Sequence, residues 1–274
     1  MLMEALADRG AQIVGWQDLM ANAALECLSF APTVRTATIL LDQHRGAWRT
    51  AVRRIIAGLP DDQELRLLAS RVPLGLHLTN PWKVTLAGAP NAGKSSLVNA
   101  LAGYTRSIVA PTPGTTRDLV RVPVALDGWP VELIDTAGLR DSTEMIEATG
   151  IAQARREIES ADLCVWVVDA TAENPQWPGQ TPKPTIIAIN KVEAVPAWNI
   201  SNVPGVCRVS AHTGAGVSEL AARMIAALVP EVPEPGAAVP HTLEQGRAVL
   251  AALAYLEGGQ VEEAREVLKR YSEE

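Results

Sequence analysis

Apolar residues recur at two different periods along the chain, and the change of period divides it into three zones. Between Ala37 and Ile56, the residues Ile39, Leu40, Ala47, Trp48, Ala51, Val52, Ile55 and Ile56 stand close to helical spacing, and Gly58-Leu59-Pro60 stops the pattern. A second helix is expected through Asp62–Arg71, ending before Pro73. From Trp82 to about Pro230, short β-rich apolar runs alternate with helical stretches. Strands are expected at Lys83–Ala87, Leu119–Leu126, Val131–Ile134, Leu163–Asp169, Thr185–Ile189 and Val206–Val209, and helices at Lys94–Ala102, Glu147–Ser160 and Val217–Leu228. Such alternation builds βαβ units and a sheet covered on both faces. Asp127-Gly128 between the second and third runs marks a hairpin, so the sheet should be mostly parallel with one antiparallel edge.

Residues 230–240 read as a Pro-rich linker. Beyond it, Thr242–Leu256 and Val261–Tyr271 form two amphipathic patterns split by Gly258-Gly259. Two short helices alone bury little surface, so they are expected to return onto the N-terminal helices. The resulting division is residues 1–80 and 241–274 as two parts of a small all-α domain, 81–230 as an inserted α/β domain, and 231–240 as linker.

Composition narrows the partners. The sequence has 274 residues, 47% hydrophobic and 20% charged, which suits a chain that buries a core. Its formal net charge of −7 argues against broad electrostatic adsorption to nucleic acid or to an anionic membrane. Cys27, Cys164 and Cys207 are far apart and show no metal-ligand spacing; Cys164 lies in an apolar run and reads as a small buried hydrophobe. The acidic start lacks the long apolar run of a secretory signal, and no segment approaches the roughly 20 apolar residues that span a bilayer. The expectation is a cytoplasmic protein without a membrane partner.

The strongest chemical signal is Gly88-Ala89-Pro90-Asn91-Ala92-Gly93-Lys94-Ser95, which follows a strand and opens a helix. Its glycines let backbone N–H groups turn inward around a β-phosphate, Lys94 neutralises β/γ oxygens, and Ser95 offers an oxygen to Mg²⁺. Gly88, Asn91, Ala92, Gly93 and Ser96 complete this phosphate-binding group. Asp135-Thr136-Ala137-Gly138 ends the next apolar strand: Asp135 is placed to hold a magnesium-bound water, and the Gly138 N–H to meet a γ-phosphate. Between the two lies Gly114-Thr115-Thr116-Arg117-Asp118. One of its adjacent threonines, assigned as Thr116, is placed to add a hydroxyl to Mg²⁺, and a hydroxyl-rich turn is the plain alternative.

Two further strand ends carry base-reading candidates, Asn190-Lys191-Val192-Glu193 and Ser210-Ala211. A carboxylate at Glu193 accepts a bidentate pair from guanine N1–H and N2–H, donors that adenine lacks. Lys191 is expected over the base, and the Ala211 N–H at guanine O6. The acceptor pair sits one methylene further out than an aspartate would place it, which weakens guanine selectivity.

With these elements in order, residues 82–230 resemble the translation-factor-related GTPases of the TrmE-Era-EngA-like group, and within it the tRNA-modifying GTPase family MnmE (also called TrmE). The details that carry the likeness are Asn91 before Ala-Gly-Lys, the run Gly114-Thr115-Thr116-Arg117-Asp118, and Leu139-Arg140-Asp141 after Asp-Thr-Ala-Gly. The flanking helices resemble that family's helical domain more weakly. The resemblance implies a P-loop GTPase domain inserted in an all-α domain, cleaving GTP to GDP and phosphate.

In that family K⁺, rather than an arginine, offsets the developing charge; the implied K⁺ ligands are Asn91, Ala110, Thr112 and Thr115. Glu147 falls at the family's catalytic glutamate, acting with Lys94 and Gly138 and without a glutamine, since Leu139 stands in that place. The family implies a homodimer through the GTPase face, an FAD-dependent tRNA-modification partner, and tRNA as the eventual substrate. This sequence departs from it in lacking most of the folate-binding domain and a C-terminal Phe-Cys-Ile-Gly-Lys motif, so the expectation covers GTP hydrolysis and not tRNA modification by this chain alone. The competing reading is a GTP-dependent regulatory switch that binds a protein or ribosomal RNA partner.

Overall fold

The computed structural model describes residues 23–104, 120–136, 156–179 and 183–272. Its contacts divide into two units, one made of residues up to Thr79 together with those from Pro233 onward, the other running from Asn80 to Val232.

The central unit holds one six-stranded sheet: β1 (Trp82–Gly88), β2 (Val120–Leu126), β3 (Trp129–Asp135), β4 (Leu163–Asp169), β5 (Thr185–Asn190) and β6 (Cys207–Arg208), in the order β2-β3-β1-β4-β5-β6. Every pairing is parallel except β2 with β3. Their hairpin turns through Asp127 (φ 47) and Gly128 (φ 78), the two positive φ values of a two-residue type I′ turn. The inner strands are nearly continuous apolar runs because both faces are covered. On β1, Val84, Thr85, Leu86 and Ala87 are all buried, as are Leu163, Cys164, Val165, Val167 and Val168 on β4. Burial pushes the Cys164 thiol up to about 11, so it packs as a neutral small hydrophobe. Helices α6 (Lys94–Tyr104) and α7 (Val217–Leu228) bury Leu97, Val98, Leu101, Leu220 and Met224. Residues 156–160 are helical, the described end of the expected Glu147–Ser160 helix.

The other unit contains α1 (Ala23–Leu28), α2 (Val34–His44), α3 (Ala47–Gly58), α4 (Gln63–Ser70), α5 (Val72–Leu76), α8 (Leu243–Glu257) and α9 (Val261–Lys269). The single periodic stretch expected over Ala37–Ile56 is two helices here. Thr33 and Thr36 cap α2 reciprocally, and the chain breaks at Gly46, whose φ of 101 no helix accommodates. Pro73 sits in the first turn of α5, where a missing N–H costs nothing.

Both ends of the sequence feed one core: Trp48, Val52, Ile55, Leu65 and Leu68 pack with Ala238, Val249, Ala252, Ala264 and Leu268. The Trp48 indole donates to Tyr271 O at 2.9 Å, and Arg265 reaches Ile56 O at 2.7 Å. The Pro-rich stretch is not a loose spacer. The Gln43 amide donates to Ala237 O at 3.0 Å and accepts from the Val239 N–H at 3.1 Å, while Asp42 accepts from the Gly236 N–H at 2.9 Å.

His241 lies buried in this core, edge-on to Trp48 with ring centroids 6.4 Å apart. Burial pushes its pKa down to about 4, against a weaker upward pull from Val239 O. The folded state thus keeps the ring neutral where the unfolded chain protonates it. Its contribution is complete above the unfolded value near 6.5 and is lost as pH falls towards 4. Urea unfolding of the helical unit is expected to lose about 3 kcal/mol between those limits. A His241→Leu variant should flatten that slope; an equally steep slope in the variant would contradict the assignment.

Among the described residues no helix is long and apolar enough to cross a membrane.

Candidate nucleotide site

Parallel strands deliver their C-terminal ends to one edge of the sheet, and open α/β sheets bind ligands there. The ends of β1, β3, β4 and β5 bring Gly88, Asp135, Asp169 and Asn190 to that edge, and the segment after β6 adds Ser210 and Ala211. The loop from Gly88 to Gly93 then opens α6. Close approach dictates its residues. A Cβ at Gly88 would stand 2.3 Å from Val167 O, and one at Gly93 (φ 90) would stand 2.3 Å from Asn190 Nδ2. Asn91 takes the left-handed region (φ 61), and Ala92 is fully buried.

Lys94 is nearly buried, with Nζ donating to Gly88 O at 3.2 Å and Ala89 O at 2.8 Å. The loop therefore folds round its own lysine, holding the ammonium inside the curve where a phosphate would sit. Ser95 Oγ hydrogen-bonds to Asp135 Oδ2. A hydroxyl and a carboxylate in contact at the mouth of a phosphate loop are hard oxygen donors of the kind Mg²⁺ takes, so these residues fit that ion. Ser95 and Ser96 are both exposed on the first turn of α6. Thr136 fixes the adjoining strand end by donating its hydroxyl to Leu86 O at 2.8 Å.

The base-reading candidates divide into two roles. Glu193 is exposed, and its carboxylate is held below the usual range, first by the Ser210 hydroxyl and its own backbone N–H, then by His212 and Lys191. That leaves an ionised acceptor at the rim, which guanine recognition requires. Asn190 is buried and serves inside the protein. Its Nδ2 donates to Ala92 O at 2.9 Å and its Oδ1 accepts from the Ala211 N–H at 3.0 Å. The Ala211 N–H is also the group expected at guanine O6. Here the same N–H satisfies the Asn190 acceptor, since a buried amide needs partners for its oxygen as well as its nitrogen.

Lys191 (φ 66) spans from the base-reading segment to the loop, donating to Asn91 O at 2.8 Å and to Asp169 Oδ2 at 2.6 Å. Sequence motifs do not single out Asp169, although a signal is present: like Asp135, it is a carboxylate closing an apolar strand at the ligand edge. The remaining expectations, Ala110, Thr112, Thr115, Thr116, Gly138 and Glu147, lie outside the described residues.

Residues 83–199 match the protein-family model described as "50S ribosome-binding GTPase". The class that this sheet and its phosphate loop define is the P-loop GTPases. The tRNA modification GTPase MnmE of Shewanella loihica is 42% identical over 59% of this chain and 38% of its own length; that of Thermus thermophilus is 40% identical over 64% of this chain and 39% of its own. Over the GTPase region the chain is similar to the MnmE family, and it spans well under half the length of these relatives. The G domain of the T. maritima FeoB iron transporter matches 54% of this chain and 99% of that one, at 28% identity and a TM-score of 0.38.

Proposed function

We propose that this chain binds GTP with Mg²⁺ and hydrolyses it to GDP and phosphate, with K⁺ as an activating ion. The observation that carries the reading is the Ser95–Asp135 contact at the mouth of a loop curled round Lys94. Lys94 would exchange its two carbonyl partners for anionic β- and γ-phosphate oxygens, an ion pair worth more than the ammonium–carbonyl bonds it replaces. Ser95 and Asp135 would hold Mg²⁺ with Thr116, and the metal supplies charge neutralisation on the same oxygens when bound. Glu193, ionised and steadied by Ser210, would accept from the guanine edge, with Lys191 along the ring face.

The cleavage step rests on the family likeness. Gly138 would donate its N–H to the γ-phosphate, Glu147 would orient the attacking water, and K⁺ held by Asn91, Ala110, Thr112 and Thr115 would offset charge as an arginine finger does. A face-to-face homodimer of the GTPase unit would complete that arrangement. The relatives carry tRNA modification in their names, and we extend that to this chain as one member of a complex with an FAD-dependent partner acting on tRNA.

Initial GTPase rates in K⁺ and in Na⁺, over a range of protein concentrations, test the reading. We expect a rate at least about tenfold higher in K⁺, rising more than linearly with protein and lost in Glu147→Ala. Equal rates in both ions, linear in protein, would point instead to a slow switch without K⁺ chemistry.

A further inference from the structure

Lys191 carries a long flexible stem, and a free lysine loses considerable rotamer freedom when it is pinned. Here it is pinned in advance. The ammonium is shared between Asn91 O on the phosphate loop and Asp169 Oδ2 at the end of β4. Asp169 is itself fixed from two sides. Its Oδ1 accepts the Thr171 N–H at 2.8 Å and the Thr171 hydroxyl at 2.7 Å, which leaves Oδ2 aimed at the lysine. Its backbone carbonyl accepts the Trp198 indole N–H at 3.3 Å, and Trp198 packs edge-on against Trp177 with centroids 5.5 Å apart. Next door, Ala170 N–H donates to Asn190 O at 3.0 Å and Ala197 N–H to Ala170 O at 2.9 Å, so the ends of β4 and β5 are tied together by hydrogen bonds. Burial alone would raise the Asp169 carboxyl. Lys191 and Thr171 outweigh it and keep the group ionised.

We infer that Asp169 is a positioning residue for nucleotide binding: it fixes the Lys191 side chain across the phosphate loop, so that the lysine stem is a preset platform for the face of the purine. The inference rests on the GTP-binding reading above. A platform ordered before the ligand arrives spares the ligand that ordering cost, which is the general source of affinity from preorganisation. Because a stem contacts the ring face and not its hydrogen-bonding edge, losing Asp169 should weaken GDP and IDP by the same factor. Changing Glu193 should separate the two.

The test is a double-mutant cycle on the full chain, read as Kd for fluorescent GDP and IDP analogues, with Asp169→Asn, Lys191→Met and the pair. Asparagine keeps an acceptor for Thr171 and removes the charge that faces Lys191. Asp169→Asn is expected to raise both Kd values about tenfold, equivalent to about 1.4 kcal/mol. It should add nothing once Lys191 is methionine, and Asp169→Glu should recover part of the loss. If Asp169→Asn does not fold, Trp198→Phe keeps the ring packing and removes the indole donor; a rise of about threefold is expected from it. Wild-type binding with Asp169→Asn, or failing that Trp198→Phe, left unchanged overturns the inference. So does a loss of equal size in the Lys191→Met background. Wild type that binds no GDP overturns the functional reading, and this inference with it.

Discussion

Lys94→Ala is expected to lower kcat/KM for GTP by about three powers of ten while leaving the unfolding temperature of the helical unit unchanged. The side chain is buried in the curve of the loop, with its ammonium on Gly88 O and Ala89 O. Truncation there removes the charge meant for the β- and γ-oxygens and strands two carbonyls against a methyl group. Removing one partner of a desolvated charge pair costs about 2–5 kcal/mol, and about 4 kcal/mol corresponds to a thousandfold. Steady-state hydrolysis measured beside GDP titration gives the split. If the loss fell entirely on KM with kcat intact, the lysine would be a binding group alone.

Trp48→Ala is expected to carry one of the largest stability costs among the described residues. Trp48 is almost wholly buried in the core shared by α3, α8 and α9, and its indole satisfies Tyr271 O at 2.9 Å. A buried Trp to Ala change costs about 3–5 kcal/mol, a large share of what a domain of this size has in hand. Two units need not unfold together. The urea transition that GDP shifts to higher concentration belongs to the nucleotide unit and should persist in the variant; the other should move to much lower urea. Two unchanged transitions would mean that the core tolerates the cavity.

The sequence made the sheet legible where pattern and structure share one local cause. Leu163–Asp169 and Val217–Leu228 read as a strand and a helix over the same residues the structure gives them, because an uninterrupted apolar run and a clean 3.6-residue period each leave one solution. The phosphate loop was legible for the same reason, being contiguous. Ala37–Ile56 misled, since Leu40 and Trp48 keep helical phase across Gly46, and only the backbone turn at that glycine separates α2 from α3. The segment 230–240 read as linker from its prolines. What pins it is Gln43, 194 residues away from Ala237, which no local pattern encodes. The same limit hid the bracing in the site. Asn190 reaches Ala92 across 98 positions and Lys191 reaches Asn91 across 100, so their roles follow from the sheet order and from no spacing in the chain.

The core that joins α3 to α8 and α9 also sets a timetable. Trp48 leaves the ribosome long before Tyr271, 223 positions later, which accepts its indole hydrogen. At ordinary synthesis rates that interval is on the order of 10–40 s. Until α8 and α9 emerge near the end of it, the apolar faces of α3 and α4 have no partner from them, whereas the nucleotide unit completes its sheet at Arg208, before α8 is made. The unit that begins first must therefore finish last, and until α9 emerges its core is only half made.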